Sequence, residues 1–418
     1  MLEAIRNLFK VPELRKRLLF TLFITVVYRM GAHLVVPGIS VTALRQFFEN
    51  KQGSIFGFVD LFSGGALSEF AVFALGIMPY ITASIIMQLL TVVIPRLEEL
   101  VKEGEVGQKK INQWTRYLTV GLALIQSVAL VITFKGYGVI PKVDFMHVLL
   151  IVVTLVAGTT LIMWLAELIT EYGIGNGMSI LISISIISRL PIAAIQTVQV
   201  SSALIIFVVA LIIILVTGAI VASEKGQRKI QVQYAKRVVG RKVYGGQATY
   251  IPLKLNQAGV IPIIFASSIM LLPGILAQFF PNQKTFEAIT NQLRPTSPVY
   301  MVIYAFLIIV MAYFYTAVTF NPIDISENIQ KYGGFIPGVR PGRPTAQYLD
   351  NILTRLTLPG AVFLGAIAIV PTIIMSTMNV PFFQHFGGIS ILIVVSVILE
   401  TMRQLESQLL MRHYEGFF

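Results

Sequence analysis

Side chains that commonly carry chemistry are sparse in this sequence and do not converge. Cysteine is absent, which excludes a disulfide framework, thiolate metal sites and cysteine nucleophiles. The four histidines, His33, His147, His385 and His413, fall in separate stretches, whereas a metal site or a hydrolase dyad needs its members brought together. There is no phosphate-cradling GxxxxGK followed by Ser or Thr, and no HExxH, so neither ATP hydrolysis nor any cofactor is expected. Glu167, Glu171 and Glu400 stand at the ends of apolar runs, not at the depth where ion-coupled transporters keep their carboxylates. The interiors of those runs offer isoleucine instead. Ile77 and Ile81 flank Pro79 on one helix face, while Ile182, Ile264 and Ile393 lie part-way along other runs. Such residues can simply pack, or they can form a constriction that stops water and ions by dewetting. Spacing alone favours packing, and composition does not choose between the two. Two cations, Arg29 and Arg189, are embedded in apolar runs and are expected to snorkel toward a nearby surface.

Membrane helices must position these residues. Of the 418 residues 56% are apolar and only 12% charged, with a mean hydropathy of +0.79, which places the chain in the membrane class. Ten windows are long and apolar enough to be spans: 18–36, 70–94, 117–134, 148–169, 178–195, 202–222, 258–279, 299–320, 356–375 and 387–401. Residues 1–17 place Leu2, Ile5, Leu8 and Phe9 at helical spacing among Arg6, Lys10, Arg15, Lys16 and Arg17, as suits a segment lying on anionic lipids. No small-residue cleavage site follows the run from Leu18, which reads as a retained span and not a signal peptide. The alternate connections that include the N-terminus hold 24 Lys and Arg against seven in the others, with Arg189 of the fifth run counted among the seven, so both termini are predicted to be cytosolic. The net charge of +12 resides in these connections and forms no continuous face, which argues against a nucleic-acid partner.

The stretch 58–90 organises the rest. Its first part, 58–68, is too short to cross and too apolar to lie in water, so it should rest on something apolar within the membrane. Gly76 and Pro79 then fall inside the second span, where a water-soluble helix would lose about 1 and about 3 kcal/mol. A bilayer tolerates them if neighbours repair the backbone. Ten spans also divide into halves of five, 18–195 and 202–401, with a hinge at 196–201 and a tail at 402–418. An odd count inverts the second half relative to the first. Of the two long cytosolic connections, 223–257 alternates branched or aromatic residues with polar ones and turns at Gly245-Gly246, predicting a protruding hairpin. The other, 321–355, is punctuated by Gly333-Gly334 and PGVRPGRP, predicting an irregular, ordered tip.

ALGIMPYITASIIMQLL (74–90), TEYGIGNGMSI (170–180), YAKRVVGRKVY (234–244), LKLNQAGVIPIIFASSIM (253–270), FNPIDISENI (320–329) and FIPGVRPGRPTAQYL (335–349) follow one another along the chain. Together they resemble the bacterial SecY family, the channel subunit of the general secretion translocon. The resemblance implies an all-α polytopic membrane protein, a clam-shaped channel of ten transmembrane helices in two inverted five-helix halves, in the bacterial cytoplasmic membrane. It implies a passive conduit and not an enzyme: unfolded secretory polypeptides cross it, and hydrophobic segments such as signal sequences leave sideways into lipid. Phe58, Val59, Asp60, Leu61 and Phe62, with Ser63, Gly64, Gly65, Ala66 and Leu67, match the plug that closes the outer funnel. The family's pore ring falls on Ile77, Ile81, Met178, Ile182, Ile264 and Ile393. Methionine replaces the usual isoleucine at 178, but its thioether side chain stays apolar and fills irregular gaps.

The family's lateral gate lies between spans two and seven, and Gln88 and Asn256 match its polar pair. Two amides across a helix seam can hydrogen-bond for about 1–2 kcal/mol or less in a bilayer. Arg340 matches an arginine on which the ATPase motor SecA depends, and Lys236, Arg237, Arg241 and Lys242 match the basic residues of the earlier connection, where motor and ribosome dock. The single-span subunit SecE is expected to clamp the halves and SecG to sit peripherally. Two rivals come from other classes. A secondary solute transporter shares the span count but predicts a polar midplane site; an intramembrane hydrolase needs a nucleophile with a base beside it.

Overall fold

Proline and glycine set where the apolar helices begin and how they are joined. The computed structural model describes residues 11–50, 55–140, 144–234, 237–239, 242–244, 248–279, 292–293, 297–378, 380, 382 and 388–415. Among them the helices are α1 (Pro12–Gly31), α2 (Val41–Asn50), α3 (Ile55–Ser63), α4 (Met78–Val93), α5 (Pro95–Lys102), α6 (Glu105–Gly136), α7 (Phe145–Tyr172), α8 (Gly177–Val200), α9 (Ala203–Lys225), α10 (Ile261–Phe279), α11 (Pro298–Thr319), α12 (Pro322–Lys331), α13 (Arg343–Met378) and α14 (Gly388–Glu415). Ten of them, α1, α4, α6 to α11, α13 and α14, coincide with the ten predicted windows. By length and hydropathy alone, six described helices can cross a membrane, or seven if α4 and α5, bent by 99° at Ile94, form one span.

The second window departs from a continuous helix. Residues 64–77 run as successive turns, and α4 begins only at Met78, with Pro79 in its first turn and Gly76 at φ +57° just before it. Proline is tolerated there because its missing N–H has no helical acceptor in the first turn. The penalties expected for a mid-helix glycine and proline are therefore not incurred. Two boundaries also shift: α8 stays helical through the predicted hinge to Val200, leaving Ser201 and Ser202 as the break, and α14 continues through the predicted tail to Glu415.

Each helix from α6 to α8 packs on its neighbour in sequence, α4 packs on α6, and α1 leans on α7 and α8. Likewise α10, α11, α13 and α14 pack in order, with α9 against α14. The two groups meet along separate seams, α10 against α4 and α6 on one side, α8 against α14 and α9 on the other. Several buried threonines inside this bundle satisfy their hydroxyls on the preceding turn, as Thr115 does on Ile111 O (2.9 Å), Thr119 on Thr115 O (2.7 Å) and Thr159 on Leu155 O (3.1 Å).

The predicted hairpin is present. Strand β1 (Gln227–Tyr234) pairs antiparallel with β4 (Ala248–Lys254), and beyond them β2 (Arg237–Val239) pairs with β3 (Lys242–Tyr244). Val239 is the partner of Lys242 at the inner end of that second pair, and the predicted turn at Gly245-Gly246 lies outside the described residues. A feature absent from the sequence reading is β5 (Gly334–Phe335), which pairs with the other edge of β1 and joins the two long connections into one three-stranded sheet. Ile230, Val232 and Leu253 from the hairpin pack there with Ile329, Ile336, Leu349, Ile352 and Leu353.

Candidate functional site

Ile77, Ile81, Ile182, Ile264 and Ile393 are all buried and belong to one contiguous apolar cluster, and Met178 packs against it. Different elements supply them: the turn before α4, then α4, α8, α10 and α14. The sequence places them there by capping. Asn176 accepts hydrogen bonds from the N–H groups of Met178 (3.0 Å) and Ser179 (3.3 Å), starting α8 so that Met178 and Ile182 stand one turn apart. Gly177 permits the tight α7–α8 turn, since a Cβ there would lie 1.9 Å from Ala166 O.

The short helix α3 and its following turn seat on the same cluster. Phe62 and Ala66 are members of it, Val59 and Leu61 pack against it, and Leu67 enters a second buried cluster with Phe70 and Phe134. Backbone bonds from Val36 N–H to Phe70 O (3.0 Å) and from Val72 N–H to Leu34 O (2.8 Å) fasten the segment after the cap to the end of α1. The side chain of Phe58 lies outside what the structure describes.

Arg29 and Arg189 do not behave as snorkelling cations. Arg29 donates to Gly64 O (3.0 Å), and Arg189 donates to Ser68 Oγ (2.8 Å) and forms an ion pair with the buried Asp60 carboxylate. Asp60 also accepts from Ser68 N–H at 2.7 Å. The physical reason is partner availability: a cation within an apolar helix is held by a nearby carboxylate and carbonyls more firmly than it is drawn to a distant surface. One signal in the sequence could have found this pair. An acidic residue in the apolar run FVDLF and an arginine in an apolar span are each anomalous, and such anomalies tend to neutralise one another.

The predicted hydrogen bond between Gln88 and Asn256 is not formed. Asn256 Nδ2 donates to Glu224 Oε1 (2.8 Å) and to Gly259 O (3.0 Å) instead. Glu224 closes α9 and is reached also by Ser396 Oγ (3.4 Å) and by Arg403, which pairs with its carboxylate at 3.9 Å. A carboxylate outcompetes a neutral amide for a donor because charge-assisted bonds are roughly twice as strong. Still, α4 and α10, which carry Gln88 and lead on from Asn256, lie in contact.

On the two long connections, Arg340 is exposed beside Gly338 (φ +81°), and its carbonyl is fixed by Thr345 Oγ1 (2.9 Å). Ser326 Oγ bonds Gly342 O at 2.7 Å, so the tip is ordered although irregular. Arg237 and Lys242 lie on β2 and β3, while Lys236 and Arg241 fall outside the described residues. Among the described residues there is no group of His, Cys, Asp and Glu that could hold a metal ion.

A profile of the SecY family matches residues 71–402. A protein translocase subunit SecY of Streptomyces scabiei is 50% identical over 439 residues, spanning the whole of both chains. This chain belongs to the SecY family. Its helices also superpose on a solved protein-conducting channel with a TM-score of 0.66 at 20% identity, covering 96% of each chain. The canine Sec61 channel, solved in complex with a ribosome, gives a TM-score of 0.62 at 18% identity, again over 96% of each chain. The SecY fold, a polytopic helical channel, is thus shared with proteins of much lower identity. Within this SecY chain the apolar cluster and the α3 cap occupy one site, while Glu224, Asn256 and Arg403 form a separate polar knot where α9, α10 and α14 converge.

Proposed function

We infer that this chain is the channel subunit of a protein translocase in the bacterial cytoplasmic membrane, with both termini in the cytosol. Unfolded polypeptide crosses through the ring made by Ile77, Ile81, Met178, Ile182, Ile264 and Ile393, and hydrophobic segments leave between α4 and α10. The observation that carries this reading is the burial of five isoleucines from separate elements in one cluster with the cap residues Phe62 and Ala66. An apolar constriction of that kind stops ions while yielding to a flexible chain. Residues 58–67 act as the plug, and the two five-helix halves flex about the break at Ser201 and Ser202. Energy comes from partners. The joined sheet, the exposed Arg340 and the basic hairpin tip support docking of a SecA-type ATPase or a ribosome, as the canine relative does with its ribosome, with SecE and SecG completing the complex. A solute transporter is disfavoured because this site gathers isoleucines where such a protein needs polar ligands.

Reconstitution tests the proposal. Ile81→Asn should raise resting ion conductance, whereas Ile81→Val should not, because polarity wets a constriction and a lost methyl does not. Arg340→Glu should leave membrane insertion intact and abolish ATP-driven translocation, and Arg340→Lys should impair it, since lysine lacks the planar fork of guanidinium. Currents for Ile81→Asn equal to the parent's would return these isoleucines to ordinary packing.

A further inference from the structure

A seal of apolar contacts alone slides easily, and the cap has a second, polar attachment. Its turn, 63–68, lies between two guanidinium groups carried on different helices, Arg29 on α1 and Arg189 on α8. Asp60 is 7% exposed and receives both the Arg189 ion pair and the Ser68 N–H. An ionised carboxylate is tolerated at such burial only with its partners in place. The turn is moulded to the cations. A Cβ on Gly65, whose φ is +95°, would lie 2.6 Å from a terminal nitrogen of Arg189. On the outer side Arg29 meets His33 Nε2 (3.1 Å), and His33 pairs with Glu69 (2.8 Å), so polar contacts continue from the cap to the exposed surface.

We propose that Arg189 and Arg29 are positioning residues forming a two-point latch on the cap, with Asp60 as the catch whose release from Arg189 lets the cap leave the isoleucine ring. The proposal rests on residues 58–67 being the plug. The latch sets how strongly a hydrophobic segment must bind before the channel opens, so its strength is a threshold for substrate selection. Apolar ring contacts have no direction and cannot supply such a threshold by geometry; an ion pair with a fixed partner on α8 can.

Single-channel recording of the reconstituted complex provides the test. Asp60→Asn and Arg189→Gln should each raise resting open probability about tenfold, with unitary conductance unchanged. The double variant Asp60→Asn/Arg189→Gln should open no more often than the worse single variant, because both changes remove one contact. The same variants should translocate precursors bearing weakened signal segments, and Arg189→Lys should retain part of the closure. Additive effects, altered unitary conductance, or parent-like closure in both single variants would overturn the latch. Deletion of residues 58–67 separates the two levels: a tight channel after deletion overturns the plug reading, whereas a leaking deletion beside tight single variants overturns the latch alone.

Discussion

Glu224 is buried at the end of α9, yet it serves three side chains: Asn256 ahead of α10 and Ser396 and Arg403 on α14 all reach it. Hydrogen bonds to a charged group contribute about 1.5–3 kcal/mol, so Asn256→Ala should destabilise the purified chain by about that amount in detergent unfolding. Gln88→Ala should cost less than about 0.5 kcal/mol. In double-mutant cycles Glu224→Ala and Asn256→Ala should be strongly non-additive, while changes at 88 and 256 should add. Coupling between 88 and 256 would instead restore a direct amide latch between α4 and α10. The side chain at 256 was legible as a polar group at a helix seam. Its partner was not, because Glu224 stands 32 residues away in sequence and reads locally as one more charge beside Lys225.

At the scale of elements, pairing of β1 with both β4 and β5 makes the two long connections one body. Gly334 sits at the join, where a Cβ would lie 2.8 Å from the Tyr234 ring and 3.0 Å from Ile329 Cγ2. Gly334→Val should therefore strain the join by about 1–3 kcal/mol. The expected readout is faster proteolysis within 321–342 with helix content unchanged, and equal cleavage rates would show that the connections do not depend on each other. Period-two alternation made β1 and β4 readable. Strand β5 has two residues, and Gly333-Gly334 reads as a turn, so only tertiary pairing makes it a strand. The segment 70–77 was misread for a related reason: its composition is that of a span, and what stops the helix is Gly76 at φ +57° together with Pro79 at the start of α4. The arginines in α1 and α8 and the anomalous Asp60 were visible in the sequence, but the Gly64 carbonyl that accepts from Arg29 required the fold.

For the whole molecule, the fold turns a charge count into a claim about sides. Alternation of the spans puts the three-stranded sheet, α5 and α12 at one end, and the cap with the start of α7 at the other. The end bearing the sheet also holds the larger share of Lys and Arg, and in the proposed topology it is the end that faces the cytosol. Two exposed positions report the two ends without touching either proposed site: Tyr332, 78% exposed beside the sheet, and Phe145, 77% exposed at the start of α7. The chain has no cysteine, so Tyr332→Cys and Phe145→Cys each introduce a single thiol. In intact cells a membrane-impermeant maleimide should label Phe145→Cys and spare Tyr332→Cys, and in inverted vesicles the pattern should reverse. Labelling of Tyr332→Cys from outside would place the basic connections on the far side, where no cytosolic ATPase or ribosome could reach Arg340, and the energetic coupling proposed for this channel would fail with the topology.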